Sequence, residues 1–132
     1  MEIPNNLKYT KDHEWILIND DEIICGITDF AQRELGDIVY VDIDTVGETI
    51  NRESIFGTIE AVKTVSDLFM PITGTIIEQN EELNNNPELI NESPYEKGWI
   101  VKIKNPKSDE FDQLLSAEEL SLIHISEPTR PY

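Results

Sequence analysis

The stretch Gly57-Thr58-Ile59-Glu60-Ala61-Val62-Lys63-Thr64-Val65-Ser66-Asp67-Leu68 decides how the chain is read. Two β-favouring runs flank a single lysine, and the spacing predicts a tight hairpin with Lys63 at its tip. A side chain placed there stands in solvent on a rigid support, within reach of a modifying enzyme. Free lysine has a pKa of roughly 10.4 and is mostly protonated at neutral pH. Acylating it therefore needs an activated donor and a dedicated ligase or transferase, and it turns a compact cation into a long neutral arm. On spacing alone the plain reading is a surface lysine on a β-turn.

Working outward, the pattern stays β. Glu14 to Ile18 and Glu22 to Ile27 are apolar runs separated by Asn19-Asp20-Asp21, which predicts a hairpin. Thr28 or Asp29 can cap a short helix through Leu35, with Gly36 at the left-handed position after it. Asp37 to Ile43 alternates as a strand, and Val46 to Ile50 reads as a turn into another. Beyond Lys63, Thr64 to Met70 is a strand, Pro71 to Gly74 a turn and Thr75 to Glu78 a strand. Asn80 to Asn86 is a short helix or loop, Gly98 to Ile103 a last strand, and Ser108 caps a helix through Leu114-Leu115. Gly36, Gly47, Gly74 and Gly98 read as backbone-geometry residues, and Trp15 and Trp99 as core anchors. Many short strands with small helices at the edges predict a mostly β sandwich or flattened barrel. A chain of 132 residues suits one domain.

Composition narrows the function. Asp plus Glu number 27 against 10 Lys plus Arg, a net charge of −17. That balance argues against nucleic acid or an anionic membrane as partner and favours encounters with basic protein surfaces. No apolar run is long enough to span a bilayer, and residues 1–6 carry no signal or transit pattern. A bacterial cytoplasm is expected, or the mitochondrial matrix if a transit peptide was removed. The single cysteine, Cys25, reads as a small buried hydrophobe. No phosphate loop, zinc-spaced Cys/His set or nucleophile elbow marks a catalytic centre, so no catalytic or metal residue is assigned.

The run Glu60-Ala61-Val62-Lys63-Thr64-Val65-Ser66-Asp67 resembles the lipoylation motif of glycine cleavage H proteins. It does not stand alone. Lys8-Tyr9-Thr10-Lys11-Asp12-His13-Glu14-Trp15 is similar to the family's opening, and Gly26 to Gln32, Leu35 to Val41, Pro71 to Gly74 and Asn91 to Trp99 follow in family order. The resemblance covers about residues 7–119. It implies a hybrid barrel-sandwich fold of the lipoyl/biotinyl-carrier kind, with lipoate attached covalently to Lys63. It also implies a non-catalytic, monomeric carrier that shuttles an aminomethyl group from the P protein (a pyridoxal-phosphate glycine decarboxylase) to the T protein (an aminomethyltransferase). The L protein, dihydrolipoamide dehydrogenase, reoxidises the arm, and a lipoate ligase or octanoyltransferase installs it. By position, Glu14 and Asp67 match carboxylates that hold the arm's amine, with Asp12 as a weaker third; such pairing is a charge-assisted hydrogen bond. His13 reads as a packing or surface residue.

Two carrier classes fit less well. Biotin domains flank the lysine with methionine, where this chain has Val62 and Thr64, and lipoyl domains of 2-oxoacid dehydrogenases show an Asp-Lys-Ala core. A relay role, donating octanoyl or lipoyl groups to other carriers, is an alternative that the motif leaves open, as is an enzyme with an unrecognised site. The chain departs from the family at Asn51-Arg52-Glu53, which replaces a turn that usually carries glycine. Its end, Leu120 to Tyr132, resembles a translated transposase sequencing adapter. Residues 1–119 are therefore read as the domain and residues 120–132 as an artefactual tail, so His124 is no site candidate.

Overall fold

The computed structural model describes residues 6–19, 22–104 and 108–120. Its elements in chain order are β1 (Lys8–Tyr9), β2 (Glu14–Asn19), β3 (Glu22–Ile27), α1 (Asp29–Leu35), β4 (Ile38–Asp42), β5 (Thr49–Ile50), β6 (Ile55–Ala61), β7 (Val65–Phe69), β8 (Gly74–Gln79), α2 (Leu89–Glu92) and β9 (Val101–Lys104). Short 3-10 turns cover Glu81–Asn84 and Ser108–Gln113. Two antiparallel sheets form, one of six strands in the order β1-β2-β3-β9-β8-β5 and one of three in the order β4-β6-β7. Inner-face residues of both sheets fill one core: Ile16, Ile23 and Ile103 from the larger sheet meet Val41, Phe56 and Ile59 from the smaller. This is the expected barrel-sandwich. Among the described residues no helix is long and apolar enough to cross a membrane.

The local logic follows the sequence. Thr28 caps α1, its Oγ1 accepting from the Ala31 N–H at 3.2 Å. Gly36 follows with φ 82, and its N–H donates to the Gln32 carbonyl at 2.9 Å. Gly47 also needs its freedom, at φ 95. Cys25 is buried in β3, and burial pushes its thiol pKa well up, so it is the inert hydrophobe expected. Trp15 is buried, and its Nε1–H donates to the Pro94 carbonyl at 2.8 Å. Trp99 is only half-buried and lies against a second, smaller cluster formed by Leu7, Tyr9, Trp15, Ala117 and Leu120, with Lys102 Nζ 5.1 Å from its ring centre.

Several elements differ from the reading above. The helix expected from Ser108 through Leu115 is a 3-10 turn that stops at Gln113. Leu115 leaves it to exchange backbone hydrogen bonds with Tyr9, at 2.7 and 2.6 Å, so sheet pairing overrides helical spacing. The last strand begins at Val101 rather than Gly98. The Asn80 amide donates to the carbonyls of Lys97 and Trp99, both at 2.9 Å, which keeps that stretch out of the ladder. The short helix α2 replaces an expected connection, and Gly74 opens β8 opposite Ile50 instead of closing a turn. Leu120, the first residue assigned to the tail, is 1% exposed and packs with Tyr9 and Trp15. Residues 121–132 lie outside the described residues.

The glycine-poor turn at residues 51–54 shows what its departure costs. Glu53 adopts φ 72, the region glycine enters freely. The turn is held by Glu53 N–H to the Met70 carbonyl (2.8 Å) and Ser54 N–H to the Asn51 carbonyl (3.1 Å). The carboxylate meets Lys11 Nζ at 3.2 Å, an exposed pair of small worth. Both Glu53→Gly and Glu53→Ala remove that pair, so their difference reports the backbone alone. We expect Glu53→Gly to be the more stable by about 1 kcal/mol, the usual cost of a Cβ in this region. Urea midpoints compared at equal slope test it, and equal midpoints would refute it.

Candidate functional site

The β6–β7 hairpin is as tight as the sequence suggested. Glu60 pairs with Val65, and the Ala61 N–H donates to the Thr64 carbonyl at 2.8 Å, leaving Val62 and Lys63 as the two loop residues. Neither loop residue has a positive φ, so the turn forms without glycine. The tip is also tied sideways, since the Val62 N–H donates to the Asp37 carbonyl at 3.0 Å, just ahead of β4. Lys63 is exposed on this braced support.

Beside the hairpin, β7 and α1 border a cleft of about 270 Å³. Its walls are largely apolar, from Ile27, Phe30, Ala31, Leu35, Ile59 and Leu68. Asp12, Glu14 and Asp67, the three carboxylates named from the sequence, all line it. Lys63 stands four residues before Asp67, about 13 Å along an extended strand, a distance that a long acyl-lysine arm covers by folding back along β7.

The chain turns sharply to put Glu14 there. His13 takes φ 63, its N–H bonded to the Thr10 carbonyl at 3.0 Å, and the next residue swings inward. Thr10 is the hub of this turn. Its hydroxyl oxygen accepts from the N–H groups of Asp12 and Glu14, both at 3.3 Å, and lies 3.4 Å from Glu14 Oε1, to which it can donate. Glu14 Oε2 accepts from the Phe69 N–H at 2.9 Å, which joins the carboxylate to the outer edge of β7. The His13 ring packs on Phe30 with centroids 4.5 Å apart, so the expectation of a packing role holds.

Glu14 is 3% exposed, whereas Asp12 and Asp67 are exposed at the rim. Burial raises the Glu14 pKa to about 8; the Phe69 N–H opposes this, the Asp12 charge adds to it, and the Thr10 hydroxyl opposes it. At pH 7 the Glu14 carboxyl is thus mostly protonated. A cation entering the cleft favours the ionised form, and a buried pair of opposite charges excludes water from the contact. An apolar-walled cleft with a carboxyl in its floor suits a ligand that is hydrocarbon along its length and cationic at its end.

Reading the sequence alone missed Thr10, which carries no motif of its own and acts through backbone geometry. It also missed Phe30, Leu35 and Glu34, the α1 side of the cleft. The helical spacing of Phe30, Ala31 and Leu35 was visible, but only the fold shows that part of this face lines a cleft.

Fold and hairpin together define a barrel-sandwich domain of the lipoyl- and biotinyl-carrier kind. Residues 7–125 match the family model described as glycine cleavage H-protein. The chain is 56% identical over 118 residues to the glycine cleavage system H protein of Bacteroides thetaiotaomicron, spanning 89% of this chain and 94% of that one. It is 53% identical over 119 residues to that of Geobacillus thermodenitrificans, spanning 90% and 94%. The crystal structure of a glycine cleavage system H protein from Mycobacterium marinum superposes with a TM-score of 0.84 at 37% identity, over 92% of this chain and 98% of that one. The chain belongs to the glycine cleavage H-protein family, a family of lipoyl carriers.

Proposed function

We propose that this chain carries lipoate in amide linkage on Lys63 and delivers an aminomethyl group from the P protein to the T protein, with the L protein reoxidising the arm. The lipoyl group supplies the redox and group-carrying chemistry, and the chain supplies tethering and shelter. The observation that carries this reading is the pairing of an exposed lysine on a braced two-residue hairpin with an apolar, carboxyl-floored cleft one strand-length away. In it, Glu14 holds the cationic amine at the cleft floor, and Asp67 and Asp12 add negative charge at the rim. Phe30, Leu35 and Ile59 cover the hydrocarbon part and keep water from the amine. Tethering raises the cargo's effective concentration at each partner enzyme without new contacts.

The deciding experiment is intact-mass and peptide mass spectrometry of the chain produced in a lipoylating host. We expect one lipoyl adduct, located on Lys63 and absent from Lys63→Arg with the fold retained. A biotin adduct, or no adduct on a folded chain, would overturn the proposal.

A further inference from the structure

The smaller sheet has an outer face that does not follow the rule of polar residues toward water. Between Ile38 and Tyr40 the β4–β6 register shifts, so that Val39 is an extra residue between the pairs Ile38–Ala61 and Tyr40–Glu60. An extra residue of this kind re-aims side chains, and bulges concentrate beside functional sites. Here it turns two consecutive large apolar groups outward, Val39 at 50% and Tyr40 at 48% exposure. Across the sheet, Tyr40, Glu60 and Val65 form one cross-strand row, with Val65 61% exposed. Val62, at 70%, stands at the hairpin tip beside Lys63. Four exposed apolar side chains thus gather around the one lysine that the hairpin displays.

Acidic groups ring this patch. Asp42 and Asp67 occupy the next cross-strand row on either side of Thr58, Glu60 lies within the patch, and Asp37, whose backbone carbonyl accepts the Val62 N–H, stands next to the hairpin tip. A surface that fits here is apolar at its centre and basic at its edge.

We propose that Val39, Tyr40, Val62 and Val65 are the docking surface for the enzyme that acylates Lys63. This rests on the function proposed above. Reach selects this occupant over the enzymes that use the arm. The reactive end of a lipoyl arm lies far from Nζ, so those enzymes can work without touching the hairpin. The acylating enzyme has no such freedom, because reacting atoms must approach to about 3–3.5 Å. In that step the neutral amine of Lys63 bonds to the carbonyl carbon of an acyl-adenylate or acyl thioester. The bond to adenylate or thiolate breaks, and Nζ sheds one proton. A footprint of about 800 Å² centred on Nζ takes in the whole patch.

The test offers unmodified full-length chain to an ATP-dependent lipoate ligase with lipoic acid and follows adduct formation by intact mass at increasing carrier concentration. The double variant Tyr40→Thr/Val65→Thr keeps β-favouring residues at exposed positions and is checked for an unchanged melt. We expect its KM to rise about tenfold with kcat within twofold of the parent. The pair Val39→Thr/Val62→Thr, taking the other half of the patch, should behave alike. Ile18→Thr/Ile77→Thr, which removes exposed apolar groups from the larger sheet, should leave KM unchanged. KM within twofold of the parent for both patch variants, or an equal rise in the control pair, would overturn the docking surface. A parent chain that gains no adduct on Lys63 would instead overturn the function beneath it.

Discussion

Glu14→Gln will flatten the pH dependence of stability between about pH 5 and pH 8.5, and will shorten the lifetime of the loaded carrier. Glu14 has a folded pKa of about 8 against an ordinary 4.5. Between those values the folded chain holds a proton that the unfolded chain has released. Stability therefore falls as pH rises through this window, is lowest above about pH 8, and recovers fully below about pH 4.5. A shift of one unit is worth about 1.4 kcal/mol, so the buried carboxylate costs a few kcal/mol once ionised. Glutamine keeps an acceptor for the Phe69 N–H and has no charge to bury. Thermal melts should show the variant several degrees more stable than the parent at pH 8.5, with the gain vanishing near pH 5. The other carboxylates titrate in both proteins, so the difference isolates Glu14. Parallel curves would refute the assignment.

The same substitution acts oppositely on the loaded arm. A cationic amine in the cleft needs the ionised carboxylate, and burial makes that pair strong because little water screens it. Removing the charge should speed loss of the aminomethyl group at pH 7 about tenfold, followed by single-turnover formaldehyde release. Lipoylation of Lys63, which is exposed on the hairpin tip away from the Glu14 floor, should be untouched. An unchanged decay rate would remove Glu14 from the holding role even if the stability result stands.

What could be read from the residues in order, and what could not, divides along a physical line. The Lys63 hairpin, the Thr28 cap and the glycine after α1 were legible because each depends on neighbours within a few positions. The turn at Glu53 was half-legible: the missing glycine was noticed, and φ 72 is its consequence. Thr10 escaped notice because a hydroxyl bonding two backbone N–H groups leaves no pattern in composition. Gly26 and Gly57 escaped for another reason. Neither has a positive φ, but a Cβ on Gly26 would stand 2.7 Å from the Trp15 ring and one on Gly57 would stand 2.7 Å from the Asp42 carbonyl oxygen. Such glycines are dictated by partners on other strands, which periodicity does not reveal. The break before β9 was hidden likewise, since Asn80 acts from nearly twenty residues away.

Gly98→Ala carries the largest expected cost to the fold, and the route of that cost leads back to Lys63. A Cβ on Gly98 would lie 2.8 Å from the Ile90 Cα, 2.8 Å from the Leu89 carbonyl oxygen and 2.9 Å from the Ser93 carbonyl oxygen. All three are backbone atoms of α2 and its end, so no side chain can rotate away and the helix itself must move. Overpacking of this kind costs typically 1–3 kcal/mol, and the rigid partners put this case at about 3 kcal/mol. For a domain of this size that lowers Tm by roughly 11 °C. The displacement does not stay local, because α2 carries Asn91. Its amide donates to Gln32 Oε1 and the Gly36 carbonyl, and its Oδ1 accepts from the Ile38 N–H, each at 2.9 Å. These bonds fix the end of α1 to the start of β4. One residue before β4, the Asp37 carbonyl braces Val62 at the hairpin tip. A shift of α2 should therefore loosen both the α1 wall of the cleft and the support of Lys63. We expect amide exchange in Gly98→Ala to quicken at Ile38 and Val62 more than at Ile23 or Ile103 in the larger sheet. Asn91→Ala, which cuts the link without moving α2, should reproduce the faster exchange with a smaller loss of Tm. Uniform quickening across both sheets would mean that Gly98 serves global packing alone, with no preferential path to the hairpin.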